Sequence, residues 1–249
     1  MRTLFIEAYI KADIEPLLNK VLKIVPEKKI GLVTTVQHIK NLKKAQIYLK
    51  KGGKDVHVGT PAKNLQPKQG IYAFHSGQLL GCDASAALDI EEEVDAFVFL
   101  GTGEFHPLFI AFNSEKPIWL ANPLTQTVKL LPEERRRKFF AKQAARMHYA
   151  EEAKCYGIIV STKPGQVYLN MAKRMKEQAE KLGKKAIILL SDTITPNDLM
   201  NYHEVDCFVN TACPRIVEDQ PFYPKTMING TELRQIFDKL NSKTKAKSL

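Results

Sequence analysis

VDCFVNTACPRI, residues 205–216, reads as an apolar strand, Asp206 to Val209, that stops abruptly at a thiol, a proline ring and a cation. VDAFVFLGTGEF, residues 94–105, has the same plan, with a Gly-Thr-Gly turn after the apolar run. The correspondence extends outward from this pair. GIIVST at 157–162 matches GLVTT at 31–35, and KLGKKAIILLSD at 181–192 echoes YLKKGGKDVHVG at 48–59. Continuous apolar runs of this kind are buried strands of parallel sheets. Strands alternating with helical patterns, repeated twice, predict two similar three-layer α/β units of βαβ type, each with a parallel sheet. In such sheets ligands bind beyond the carboxyl ends of the strands. Cys213 therefore stands at ligand level. Cys82, in GQLLGCDAS at 77–85, follows a short apolar run and a glycine and precedes an Ala-rich helix start. A single cysteine is also an ordinary small core residue, and Cys155 and Cys207, set within apolar strand patterns, read as packing.

In chain order, residues 3–10 read as an apolar strand. Residues 12–25, apolar at Ile14, Leu17, Leu18, Val21, Leu22 and Val25, read as an amphipathic helix with Asp13 as cap and Pro26 as stop. A strand at 29–35, a helix over 36–51 ended by Gly52-Gly53, and a short strand at 55–59 follow. Residues 60–70 are Pro- and Lys-rich and read as a loop; residues 71–80 lead to Gly81-Cys82. A helix starts at 84, a strand occupies 95–100, His106-Pro107 opens a helix, and 117–121 is expected to be the last strand of this half. Pro132 and the acids Glu133 and Glu134 mark a helix start over 132–154. Then come a strand at 157–162, a helix over 168–182 stopped by Gly183, and a helix capped by Thr195. The predicted division is 1–131 for the first unit, 132–238 for a linker helix and the second unit, and 239–249 for a basic, disordered tail.

The 249 residues carry a formal charge of +10, four of the positives being lysines of the tail, with 44% hydrophobic and 26% charged content. This is the profile of a globular protein. No stretch approaches the roughly 20 apolar residues of a membrane span, and the N-terminus turns acidic too soon for a signal peptide, so a cytoplasmic protein is expected. The charge favours acidic partners, but no basic stripe interleaved with aromatics appears and no direct nucleic-acid contact is expected. Four cysteines without a C-x-x-C pair exclude a disulfide framework.

Five motifs together carry a family resemblance: IGLVTTVQH at 30–38, GQLLGC at 77–82, FLGTGEFHP at 99–107, IVSTKPGQ at 159–166 and VNTACPRI at 209–216. In order and spacing, over residues 3–237, the chain resembles the diphthamide synthase family of archaea and eukaryotes. Full-length members have three similar domains, each giving one cysteine to a 4Fe-4S cluster. This chain resembles the second and third domains and has no counterpart of the first. The resemblance implies Cys82 and Cys213 as cluster ligands, the third being absent. It also implies the reaction: S-adenosylmethionine receives one electron, a carbon–sulfur bond breaks, and the 3-amino-3-carboxypropyl radical adds to a histidine of translation elongation factor 2.

Beside that site, Gln166 in Lys163-Pro164-Gly165-Gln166 offers an amide, and Arg215 a guanidinium, to the carboxylate of S-adenosylmethionine. Equally, Gln166 is a turn residue and Arg215 pairs with Glu218 or Asp219. His106 reads as a structural helix-start residue. Two functions are expected from this pattern. One is a split enzyme, completed by a first-domain chain or a second copy of itself. The other is a non-catalytic accessory or binding subunit of the same complex.

Overall fold

The computed structural model describes residue 4 and residues 6–62 and 73–247. Most of the loop expected over 60–70, and the start of the stretch 71–80, lie outside them. The chain divides into two compact units between Lys138 and Phe139, inside the helix expected to link them and seven residues beyond the expected boundary.

The first unit holds a five-stranded sheet in the order β2-β1-β3-β4-β5. Its strands are β1 Lys29–Thr34, β2 Asp55–His57, β3 Ala96–Leu100, β4 Ile118–Asn122 and β5 Thr127–Leu130. The first four are parallel. β5 returns antiparallel to β4, so residues 117–121 are not the last strand of this half. The reversal turns on Gln126, a non-glycine at φ 54°, whose amide donates to Pro123 O and Asp13 O.

Helices cover both faces of this sheet. α1 Glu15–Ile24 and α2 Ile39–Lys51 bury Leu17, Leu18, Val21, Leu42 and Leu49 against Ile30, Leu32, Val98 and Leu100. Each such side chain, fully buried, contributes about 1.5–3 kcal/mol. The cap position of α1 is Ile14, not Asp13. Asp13 still serves the helix start by accepting from Glu15 N at 3.1 Å. The opposite face carries the short helices α3 Ser85–Leu88 and α4 Phe105–Ala111.

The N-terminal segment is not a strand over its described residues. Ile6 is 82% exposed, and both sides of β1 are already taken by β2 and β3. The segment is fastened instead by Ile10 N donating to Gln37 O and by Glu7 Oε1, 2.6 Å from His75 Nε2.

The second unit holds four parallel strands, in the order β7-β6-β8-β9. They are β6 Cys155–Ser161, β7 Lys185–Ser191, β8 Cys207–Asn210 and β9 Thr226–Asn229. α5 Glu133–Glu152, α6 Leu169–Lys181 and α8 Gly230–Lys247 supply one face. α7 Pro196–Met200 and a 3₁₀ segment at Pro214–Phe222 lie over the other. Thr195 caps α7 in a reciprocal box with Asp198, as its sequence predicts. The tail expected to be disordered continues α8 as far as Lys247. Lysine and alanine are good helix formers, and cations near a helix C-terminus complement its dipole.

The repeat is visible at the level of single atoms. Gly31 pairs in register with Phe97, and Gly157 with Phe208. A β-carbon on either glycine would stand 2.7 Å or 2.9 Å from the facing ring. Lys54, ahead of β2, donates to Val25 O and Glu27 O at 2.6 and 2.8 Å. Lys184, ahead of β7, donates likewise to Glu151 O and Ala153 O at 2.8 and 2.6 Å.

Candidate functional site

In the second unit the chain goes from β6 outward to β7, then crosses back to place β8 on the other side of β6. The carboxyl ends of β6 and β8 thus flank a topological switch point, where open α/β sheets bind ligands. Two of the predicted site residues leave from these strand ends. After β6, Lys163–Gln166 form a turn closed by Gln166 N donating to Lys163 O at 3.0 Å. Pro164 and Gly165, at φ 81°, occupy its central positions, as a type II turn requires. Gln166 is half-buried there.

After β8, Thr211 is pinned to Ile159 O through both its amide, at 3.1 Å, and its hydroxyl, at 2.7 Å. Asn210, 2% exposed, folds the next residues into a tight loop. Its Oδ1 accepts from Ala212 N at 3.0 Å. Its Nδ2 donates to Cys213 O at 2.9 Å and to Asn229 Oδ1 at 3.0 Å. Cys213 is half-buried at the end of this loop. Arg215 is exposed, with Nε 3.8 Å from Glu218 Oε2. That is the surface pairing its sequence also allowed.

In the first unit the switch point lies between β1 and β3. Residues 77–79 run beside the end of β1: Thr34 N donates to Gly77 O at 2.8 Å and Leu79 N to Thr34 O at 2.7 Å. Gln78, 4% exposed, holds the approach by accepting from Phe74 N and His75 N at 2.9 and 3.0 Å. Leu80 and Asp83 exchange backbone bonds of 3.0 and 3.2 Å. Gly81 and Cys82 therefore form the tip of a two-residue turn. Asp83 Oδ1 accepts from Ser85 N at 2.9 Å, which starts α3. Cys82 is exposed, and Phe105, at the start of α4, packs directly on Gly81.

The two thiols occupy different places in the repeat. Cys213 follows the third strand of its unit, where the first unit has Thr102; Cys82 rides on the segment between β2 and α3. The other two cysteines are core residues, Cys155 at 7% and Cys207 at 1% exposure. Burial pushes both thiols up, that of Cys207 to about 12 with the carboxylates of Glu232 and Asp206 adding to the effect. Thiolates are what soft metals bind, so the donor chemistry of Cys82 and Cys213 fits iron and that of the buried pair does not. Among the described residues no group of three or more His, Cys, Asp or Glu could hold a metal ion. Each unit thus offers one thiol outside its core, not a cage. His106 stacks on Phe99 and meets Phe105 edge-on, and sits at the helix start where its sequence put it. Asn210, Gln78 and Asp83, which build the two turns, were not singled out by sequence; an Asn two residues before an alanine amide is the signature of an Asx-turn.

The family model "Putative diphthamide synthesis protein" matches residues 1–247. The chain belongs to this family. The 2-(3-amino-3-carboxypropyl)histidine synthase of Methanocaldococcus jannaschii is 32% identical over 79% of this chain and 55% of its own length. That of Pyrococcus horikoshii is 29% identical over 93% of this chain and 64% of its own. Subunit 1 of the human synthase is 29% identical over 93% of this chain and half of its own length. The crystal structure of Dph2 from Pyrococcus horikoshii with a 4Fe-4S cluster is similar with a TM-score of 0.78 at 27% identity, over 92% of this chain and 64% of that one. The chain therefore spans from half to just under two thirds of the length of these relatives. Among its described residues, no helix is long and apolar enough to cross a membrane.

Proposed function

We propose that this diphthamide synthesis protein acts in the cytoplasm in the first step of diphthamide formation. The reaction is transfer of a 3-amino-3-carboxypropyl group from S-adenosylmethionine to a histidine of translation elongation factor 2. Cys82 and Cys213 serve as thiolate ligands of a 4Fe-4S cluster, which when bound supplies the electron for carbon–sulfur cleavage. The observation that carries this reading is the division of the four cysteines. The two within the motifs stand on built turns at strand ends, and the two outside them are buried.

In this reading the Gln166 amide donates to the carboxylate of S-adenosylmethionine, and Arg215 exchanges Glu218 for that carboxylate. The missing thiolate comes from a separate first-domain chain or from a second copy of this one. Support for such a partner is that each unit brings a single thiol outside its core. The test is S-adenosylmethionine cleavage and labelling of elongation factor 2 by the assembled complex. Cys213→Ala abolishes both. Full activity of that variant would leave the chain as a non-catalytic binding subunit, the second reading.

A further inference from the structure

The Cys213 loop owes its shape to one side chain. Asn210 is 2% exposed, and its amide is used on three sides at once: by Ala212 N, by Cys213 O and by Asn229 Oδ1. No other polar side chain combines an acceptor and two donors at this reach. Aspartate lacks the donors, glutamine is a methylene too long, and serine makes only the bond to Ala212. The anchor is itself fixed. Asn229 is the register partner of Asn210, and its backbone N donates to Glu232 Oε2 at 2.7 Å. Glu232, 3% exposed, accepts through Oε1 from Gln143 and Arg146 of α5 at 2.9 and 3.3 Å. A continuous, largely part-buried set of hydrogen bonds thus runs from the Cys213 carbonyl to α5. A helix–strand scaffold does not need this to hold a surface loop.

We propose that Asn210 is the positioning residue for Cys213, fixing the thiol-bearing backbone at a set offset from the end of β8 so that it meets a metal without reorganisation. Supporting shells of this kind orient ligands. The proposal rests on the reading of Cys213 as a ligand and concerns what holds it in place.

The experiment compares wild type, Asn210→Ala and Asn229→Ala in the full chain. Alkylation of Cys213 by iodoacetamide at one pH is followed by peptide mass spectrometry, with Cys82 in the same molecule as the internal reference. The expected result is a rise in Cys213 reactivity of about fivefold in Asn210→Ala and about twofold in Asn229→Ala, with Cys82 reactivity unchanged. After anaerobic loading with iron and sulfide, Asn210→Ala also shows an altered electron paramagnetic resonance signal, which simple support of the fold would not change. If Asn210→Ala also makes Cys207 reactive, a core thiol of the same unit, its fold is lost and Asn229→Ala decides. Wild-type Cys213 reactivity in the folded variants overturns the proposal. Unaltered iron loading of Cys213→Ala would instead overturn the ligand reading beneath it.

Discussion

The ring of Phe105 fills the space that a side chain on Gly81 would need: a β-carbon there would stand 2.1 Å from Phe105 Cε1 and 2.6 Å from Cζ. The glycine beside Cys82 is thus set by packing. Gly81→Ala is expected to destabilise the first unit by about 1–3 kcal/mol, the range for overpacking. Removing the ring in Gly81→Ala/Phe105→Ala should recover part of that loss relative to Phe105→Ala alone. Urea denaturation of the single and double variants measures it.

The two classes of cysteine should separate in stability. Cys207→Ala removes a buried sulfur packed among Val209, Ile158 and Ile228 and is expected to cost about 1 kcal/mol. Cys213→Ala, at a half-buried loop, should stay within about 0.5 kcal/mol of wild type. Denaturant midpoints read both, and the order is the prediction.

Glu232 is a carboxylate at 3% exposure, held by Gln143, Arg146 and the Asn229 amide. Glu232→Ala leaves the partly buried Arg146 uncompensated and is expected to cost about 3 kcal/mol. Glu232→Gln keeps the shape and should cost less. Thermal unfolding of the two variants gives the comparison.

His38 is 1% exposed, and neither ring nitrogen has a hydrogen-bond partner among the described residues. Burial pushes its pKa below the ordinary 6.5. On acidification the unfolded chain takes up this proton first. Stability is therefore whole above about 6.5 and is lost as the pH falls from there through the lower folded value. His38→Phe removes this contribution. The melting temperature of wild type should fall more between pH 7 and 5 than that of the variant; parallel curves would refute the assignment.

Much of this was legible because burial writes itself into sequence. β1, β3, β6 and β8 are continuous apolar runs, buried along nearly their whole length, and Cys82 and Cys213 fall in stretches that follow apolar runs. β5 was not legible: it is an edge strand, half-exposed, with Lys129 breaking the apolar pattern. The N-terminal run misled for the opposite reason, since it is apolar without a place in the sheet. Asn210 could be read as a turn residue, but its full role depends on Asn229, 19 residues on, a distance that only the pairing of β8 with β9 closes.

On the proposed reading, Cys82 and Cys213 are the metal-binding thiols of this chain. The most direct test is anaerobic reconstitution with iron and sulfide, followed by desalting, iron counting and a visible spectrum. Wild type would be set beside Cys82→Ala, Cys213→Ala and Cys207→Ala. With the partner that supplies the remaining thiolate present, iron is expected to be retained by wild type and Cys207→Ala and lost from each of the other two. Retention unchanged by Cys82→Ala and Cys213→Ala would contradict it.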